Sequence, residues 1–337
     1  VQEVSNGSFS QEGVELLSQP VNLVTDFTTN SGGVIVDADT FTTSGGSLDG
    51  IKKSFLTVGK SYKLVIEGDT TSSGFTIGSL GNSGNEYGSG FGTHYFECIN
   101  SGLWIRQQTA GTTNITSFSV REVGQDWTLG TGWSIGEDKA ASDGTQTSSS
   151  DLTQALSTPS GKSYKITYTI SEYTSGSIFV RLNSGNTTTS QSSVGTFTEY
   201  LSGGNGTQIS LRANADFIGS ITNISVKEVG QNWVIRNAWS IEAQGVRGVN
   251  AGTQTDFYQL SVLPNIGKSY KYSFQILEIT SGSIKLDFNN AETSQTYNTI
   301  GVHTGILNST GGNGAITFRG VSSFSGLISN ISVIEIT

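Results

Sequence analysis

The 337-residue chain has few of the residues on which most catalytic and metal sites depend. It contains one Cys, two His and no Met, and only 13% of its residues are charged. A single Cys excludes an internal disulfide, so stability has to come from core packing or from assembly. No apolar run approaches the ~20 residues that a membrane-spanning helix needs. We therefore expect no membrane insertion.

Basic residues are also scarce. The formal net charge is −9 and the isoelectric point is near 4.7, which argues against nucleic acid as a partner because phosphate binding requires clustered Lys and Arg. The chain starts with Val1 and lacks a signal-peptide pattern. Together with the missing Met, this start leads us to expect a processed piece of a longer product.

What the chain does contain is a repeat. The segments SVREVGQDW at 119–127, SVKEVGQNW at 225–233 and SVIEIT at 332–337 recur at offsets of 106 and 107 residues. Each alternates apolar and polar positions, which predicts a strand; we call it the seam strand because the first two copies lead directly into the Trp of the next unit. GKSYK recurs at 59–63, 161–165 and 267–271.

The repeat divides the chain into an N-terminal arm or linker at 1–16 and three modules at 17–124, 125–230 and 231–337. Each module has about eight short alternating runs separated by Gly-rich turns, which is typical of two-layer β-sandwiches. The predicted fold class is all-β, with three tandem jelly-roll-like antiparallel β-sandwich domains. We expect the arm to be flexible. We also expect Gly230 to be the one pivot between modules of nearly fixed orientation.

Paired tryptophans open the later modules: Trp127 and Trp133 in the second, Trp233 and Trp239 in the third. An even spacing places both rings of a pair on one face of an extended strand. The two interpretations are a platform that stacks on sugars and a pair that fills the sandwich core. We favour the core because the modules have few other large apolar groups.

Catalytic groups are sparse. His94 and Cys98 would lie about 13 Å apart on one strand, too far for a nucleophile–base pair. Clustered ligands for zinc are absent from the pattern, and we interpret His303 as a polar strand residue. Glu172 and Glu278 recur beside a turn, but each module offers only one such carboxylate, whereas a glycosidase needs two. We do not expect an enzyme.

Arginine also recurs, at Arg106, Arg212 and Arg319. A planar guanidinium on a sheet can bind ligand hydroxyls or carboxylates, or it can pair with a neighbouring acid; we favour the structural role.

The acidic residues Glu137, Asp138 and Asp143 could hold a structural Ca²⁺ through oxygen ligands. The sequence contains neither an EF-hand nor a nonapeptide calcium-binding pattern, and we expect no other cofactor.

The second module, with QDWTLGTGWSIGEDKAASDGTQT, GKSYKITYTISEYTSGSIFV and ITNISVKEVG, resembles the carbohydrate-binding-module-like jelly-roll repeats of bacteriophage virion proteins. The third module matches over its full length and the first mainly from GKSYK onward. The resemblance implies a non-enzymatic structural virion protein, namely a tail-fibre, head-fibre, spike or decoration subunit. It implies other virion proteins and further copies of the chain as partners, and contact with host-surface glycans.

In such families the ligand-binding aromatics lie in variable loops. The loop tyrosines here are Tyr87, Tyr173, Tyr200, Tyr258 and Tyr297. The candidate carbohydrate-binding residues are therefore Tyr173, Tyr200 and Tyr297, with Arg212 and Arg319.

Two alternatives remain open at the level of sequence. One is a secreted or cell-surface carbohydrate-binding adhesin, or an accessory module of a polysaccharide-degrading enzyme. The other is a surface filament subunit whose residues 1–16 are buried in a neighbouring subunit. The predicted location is accordingly the virion, with the extracellular space or the cell surface as the alternative.

Overall fold

The computed structural model describes residues 2–80, 85–182, 185–253, 255–262, 267–288, 292–310 and 314–336. Over these ranges the chain forms twenty-seven strands and one four-residue helix. The strands pair into antiparallel sheets around three hydrophobic cores. The predicted all-β sandwich class is confirmed. None of the described helical residues belongs to a helix long and apolar enough to cross a membrane.

The first module contains one helix and eleven strands. In chain order they are β1 (Glu12–Glu15), α1 (Leu23–Asp26), β2 (Thr28–Asn30), β3 (Gly33–Ile35), β4 (Thr40–Thr43), β5 (Gly50–Ser54), β6 (Ser61–Thr70), β7 (Phe75–Ser79), β8 (Glu86–Ser89), β9 (Gly92–Glu97), β10 (Gly102–Gln107) and β11 (Gly111–Val123). One sheet has the order β3-β4-β11-β6-β9 and the other β2-β5-β10-β7-β8. The eight strands β4 to β11 are thus divided between two sheets, β4-β11-β6-β9 and β5-β10-β7-β8, in the order of a jelly roll.

The second module repeats this arrangement with eight strands. They are β12 (Trp133–Gly136), β13 (Lys139–Asp143), β14 (Ser150–Thr158), β15 (Ser163–Ser175), β16 (Ile178–Arg181), β17 (Gly195–Ser202), β18 (Gly206–Ala213) and β19 (Ile218–Val229). The sheets are β12-β13-β19-β15-β17 and β14-β18-β16. Seam strand β19 occupies the same place as β11 in the first module.

The third module also has eight strands, and two of them are long enough to run through both layers. They are β20 (Val234–Ile235), β21 (Trp239–Glu242), β22 (Gly245–Ala251), β23 (Asp256–Gln259), β24 (Ser269–Phe288), β25 (Glu292–Thr293), β26 (Gly301–Asn308) and β27 (Ile316–Ile336). Because β24 and β27 continue from one layer to the other through register shifts, the layers form one connected sheet. The last part of β27 is the seam strand.

The repeated GKSYK segment forms a turn and the start of a strand in each module. Gly59, Gly161 and Gly267 have φ values of +80°, +81° and +81°, which an L-residue adopts only with strain. The strand that follows alternates inward and outward positions; in β6, Tyr62 and Leu64 are buried. The repeat therefore reflects one turn and strand start built three times.

A second type of turn joins successive modules, and it is the same at both junctions. Gly124 and Gly230 have φ values of +70° and +64°, and a side chain on either would collide with the Cδ1 atom of Ile135 or Ile241, respectively. In each turn the amide of the Trp three residues later donates to the glycine carbonyl, at 3.2 and 2.8 Å. Strand β12 then contacts β9, and β21 contacts β17 in the same way.

The N-terminal arm, which the sequence led us to expect to be flexible, packs against the second module. Residues 2–7 run beside β19, where Glu3 N donates to Val226 O and Ile224 N donates to Gly7 O, each at 2.8 Å. Phe9 is buried in the core of this module, 5.4 Å from the Trp127 ring. The arm therefore supplies both backbone and side-chain contacts to a module that begins more than 100 residues later.

The next part of the arm belongs to the first module. Strand β1 pairs with the end of seam strand β11, and Leu16 N donates to Val120 O at 3.0 Å. The Glu15 carboxylate accepts hydrogen bonds from Val120 N at 2.8 Å and from Ser119 Oγ at 2.5 Å. Leu17 is buried in the core of this module. One arm thus completes the seam-strand edge of two modules.

We expect Phe9→Ala to destabilise the second module by about 3–5 kcal/mol, because it removes a large buried ring that packs on Trp127. Urea unfolding combined with hydrogen exchange resolved by module measures the change. Val14→Ala, at a residue of the same arm that is 79% exposed, is the control and should change stability by less than about 0.5 kcal/mol. Equal effects of the two substitutions would show that the arm is not docked.

The contact between Glu15 and β11 should depend on pH. Burial opposes the ionised form, but hydrogen bonds from Ser119, Val120 and Leu17 and the charge of Arg121 outweigh it, so the pKa of Glu15 lies below its usual value. A depressed folded pKa adds stability above the unfolded pKa, near 4.5, and this stability is lost as the pH falls through the folded pKa.

Glu15→Gln should therefore lower the free energy of unfolding by about 1–2 kcal/mol at pH 7. The difference from the wild-type chain should shrink as the pH falls below about 4.5. Denaturant titrations between pH 7 and pH 3 measure it. A difference that stays constant over this range would contradict the assignment.

Candidate functional site

The three repeated arginines occupy the same strand position, on the outer face of the second layer of each module. Arg106 lies on β10, Arg212 on β18 and Arg319 on β27. Each forms an ion pair: Arg106 Nη2 with Glu86 at 3.2 Å, and Arg212 Nη1 with Asp151 at 3.1 Å. Arg319 is described below with its own module. The paired geometry agrees with the structural role that the sequence favoured.

The first two modules leave little open surface around this position. In the first, the Arg106 guanidinium lies 5.3 Å from the centroid of the Trp104 ring, and Trp104 is buried. In the second, Asp151 Oδ2 is shared by Arg181 and Arg212, at 3.0 and 3.1 Å. Neither arrangement presents an open aromatic face.

The third module differs because a tyrosine and an open cleft lie beside the arginine. In strands β23 and β27, Phe257 and Phe318 point inward and stack with ring centroids 4.9 Å apart. Strand alternation then turns Tyr258, Thr317 and Arg319 outward. The cleft that they line has a volume of about 280 Å³ and includes Arg236, Asp256, Leu260 and Ala315.

Tyr258 forms the floor of this cleft. The ring is half-buried, and the Arg236 guanidinium lies 5.0 Å from its centroid, within cation–π distance. The Arg236 side chain is itself 54% exposed. Leu260 contributes an exposed apolar edge next to the ring. An aromatic ring flanked by a cation and an apolar edge suits a flat ligand that is polar at its rim.

Two buried carboxylates fix the charges around the cleft. Asp287 Oδ2 lies 2.5 Å from Arg319 Nε, and Lys285 lies 3.7 Å from the other oxygen. Arg236 Nη1 lies 3.3 Å from Asp256 Oδ1, an ion-pair distance without the alignment of a hydrogen bond. This oxygen accepts no hydrogen bond from the described residues. Because it is buried, it contributes negative charge to the cleft wall.

The structure does not bring the predicted carbohydrate-binding residues together. Tyr173 is half-buried, and its hydroxyl donates to Gly176 O at 3.1 Å. Tyr200 is half-buried on β17, the strand that meets the third module. Tyr297 is only 6% exposed, and its hydroxyl is 2.6 Å from that of Tyr272 inside the core. Its ring offers no open face to a sugar.

Only Arg319 of the predicted set lies in the cleft. Arg212 lies in the closed arrangement of the second module, described above. Tyr87, another loop tyrosine, is buried and stacks on Phe96 at 4.1 Å. Sequence reasoning missed Arg236 and Asp256, although the alternation in WVIR and DFYQ places charged residues next to inward-facing apolar ones. Tyr258, which the sequence analysis placed in a loop, lies on β23 and lines the cleft.

The tryptophan pairs are mainly core residues, as predicted. Trp127, Trp133 and Trp239 are buried, with 7%, 3% and 5% of their surface exposed, whereas Trp233 is only partly buried. Trp233 packs on Phe257 with ring centroids 5.3 Å apart.

The other titratable candidates have structural partners. His94 Nε2 lies 3.0 Å from Gly90 O. The Cys98 thiol is buried, donates to Asn100 O at 3.0 Å, and has a raised pKa because of that burial. Glu172 pairs with Lys139, and Glu278 with Arg247. His303 Nε2 lies 2.7 Å from Thr299 O.

The residues considered for calcium do not form a site. Glu137 pairs with Lys139 at 3.2 Å, and Asp143 accepts hydrogen bonds from Thr145 N and Oγ1 at 2.9 and 2.7 Å. Across the described ranges, no group of three or more His, Cys, Asp or Glu residues could hold a metal ion.

Comparisons with known proteins give little beyond the architecture. No protein-family model matches the chain, and no curated protein matches it. Among solved structures, the tandem CBM51 modules of Sp3GH98, a family 98 glycoside hydrolase from Streptococcus pneumoniae SP3-BS71, align with 9% identity and a TM-score of 0.21 over 56% of this chain and 81% of that one.

The secreted serine protease VesC from Vibrio cholerae aligns with 10% identity and a TM-score of 0.24, over 83% of this chain and 74% of that one. Neither of these two structures is a bacteriophage protein. Similarities this low carry no argument about what the chain binds or does.

Proposed function

We propose that the chain is a non-enzymatic structural protein of a surface assembly and binds a saccharide in the Tyr258 cleft of its third module. The half-buried Tyr258 ring, which lines an open cleft together with Arg236, Asp256 and Arg319, is the observation that carries this proposal. The apolar face of a sugar ring would pack on the aromatic ring. Its hydroxyls would bond to the guanidinium of Arg319.

The charge balance of the cleft favours an acidic saccharide. Arg236 and Arg319 line the cleft with Asp256. Lys285 and Asp287 lie behind Arg319, so three cations stand against two carboxylates in and beside the cleft. On a chain with a net charge of −9, a locally positive cleft attracts a carboxylate-bearing sugar and holds it through the planar guanidinium of Arg319.

The Tyr258 cleft occurs in one module of the chain, so a single copy is expected to bind weakly. We therefore propose that the working form is a homo-oligomer in which several clefts act together, because linked weak sites gain affinity through effective concentration.

We also propose that the chain has no catalytic activity. Catalysis would need a nucleophile beside a base, or two carboxylates across one bond. The carboxylates of Glu172 and Glu278 each serve a salt bridge instead. The Cys98 thiol is buried and held in its protonated form by its raised pKa.

The finer proposal is that the assembly is a bacteriophage virion, with this chain as a fibre, spike or decoration subunit in contact with other virion proteins. The resemblance of the repeats supports it. A secreted or cell-surface adhesin is the second candidate, and the same cleft supports it equally. Fractionation of the native source separates the two: the virion proposal expects the chain in purified particles, and recovery only from cell surfaces or medium would refute it.

Tyr258→Ala should weaken saccharide binding about tenfold or more, because it removes the stacking face. The measurement is a glycan array containing acidic and neutral saccharides, followed by calorimetry with the best ligand. Tyr258→Phe should retain most of the affinity. Tyr200→Ala is the matched control on another module and should bind normally. If the array shows no saccharide-specific binding, or if Tyr258→Ala binds as well as the wild-type chain, the proposal is wrong.

A further inference from the structure

The seam strands of the first two modules share one feature: the arm covers their free edge. In β19, Ile224 and Val226 exchange backbone hydrogen bonds with residues 2–7. In β11, Val120 bonds to Leu16. The pattern is strand addition, in which an extended segment satisfies the unpaired groups of a sheet edge. In both modules, therefore, the edge of the seam strand binds an extended backbone segment.

The third module has the same edge without the segment. Ile331 and Val333 of β27 are the repeat equivalents of Ile224 and Val226. On one side β27 pairs with β24, through register pairs such as Val333 with Tyr272. On the other side, the described residues place no strand beside 331–333.

The apolar residues of the seam strand are more deeply buried where the arm covers the edge than where it does not. Ile224 and Val226 are 3% and 0% exposed, whereas Ile331 and Val333 are only partly buried. The same contrast holds for the neighbouring tryptophans: Trp127 is buried under Phe9, and Trp233 is left partly exposed. The third module therefore lacks both a backbone partner and an apolar side chain at this position.

A segment that binds the edge of the third module would need other side chains than the arm has, because the residues beside the edge differ between the modules. In the first module the outward side of the edge carries Lys63 and Arg121, which pair with Glu12 and Glu15 of the arm. In the second, Lys227 lies opposite Gln2.

At the equivalent position the third module has Ile334, which is 61% exposed. Lys271 on β24 pairs with Ile334 on one side and with Ile306 of β26 on the other, and Ile306 is also exposed. A segment that fits here has to be apolar where the arm is acidic or polar.

We propose that the edge of β27 at 331–333 is a strand-acceptor site for an extended apolar segment of a partner polypeptide. One apolar side chain of that segment packs against Ile334, and another covers Trp233 as Phe9 covers Trp127. The chain's own arm is not the occupant, because residues 2–7 and β1 are already paired with β19 and β11. A second copy of the arm fits poorly, since it would place Gln2 against Ile334.

Peptides of the arm sequence test this proposal on the full chain. The peptide VQEVSNGSFSQ and its Gln2→Ile variant are titrated by calorimetry, and hydrogen exchange locates the binding site. The Gln2→Ile peptide should bind about tenfold more tightly, since an isoleucine buries apolar area against Ile334. It should slow exchange of the Ile331 and Val333 amides.

Two substitutions of exposed apolar residues by lysine show whether the preference for the Gln2→Ile peptide depends on Ile334 itself. Ile334→Lys restores the cationic side chain of the second module and should remove the preference for the Gln2→Ile peptide. Val302→Lys, at a residue on β26 that is 66% exposed, should leave both affinities unchanged.

Three outcomes would overturn the proposal. The first is no protection at 331–333 with either peptide. The second is protection confined to the β19 edge, which would mean exchange with the chain's own arm. The third is concentration-dependent self-association that protects 331–333 without peptide, which would assign this edge to a second copy of the chain.

Discussion

The backbone of each seam strand has hydrogen-bonding groups on two sides, and the module itself fully satisfies only one of them. Strand β19 pairs with β15 along nearly its whole length but with β13 only over its first residues. An unpaired edge is a site for non-specific association that proteins cover or charge. The chain covers it twice with the arm, and this requirement explains why residues outside the repeat are ordered.

The two covered edges and the open one differ in charge as well as in pairing. Arg121 and Lys227 place a cation on the outer face of the first two seam strands, and such charges discourage uncontrolled strand addition. Ile334 takes this position in the third module. The third module is also the one in which Tyr258 lines a cleft beside the repeated arginine, so both features that set this module apart lie at one end of the repeat.

Repeat spacing and strand alternation were enough to predict the all-β fold and the inward position of three tryptophans. They were not enough for the site, because alternation gives the face of a strand but not the depth of a side chain. Tyr297 and Tyr258 look alike as loop tyrosines, yet Tyr297 is covered by the core and by Tyr272. The docking of Phe9 joins residues more than 100 positions apart, and no local pattern records such a contact.

The path of the arm also constrains how the chain is made. Residues 2–7 leave the ribosome more than 200 residues before their partners in β19, while the first module, between them, can already have folded. The second module therefore closes around a segment that waits unpaired during most of synthesis, and loop closure over such a length is slow. Until β19 emerges, Val4 and Phe9 are exposed apolar groups on a nascent chain, which makes this interval the one most open to misassembly.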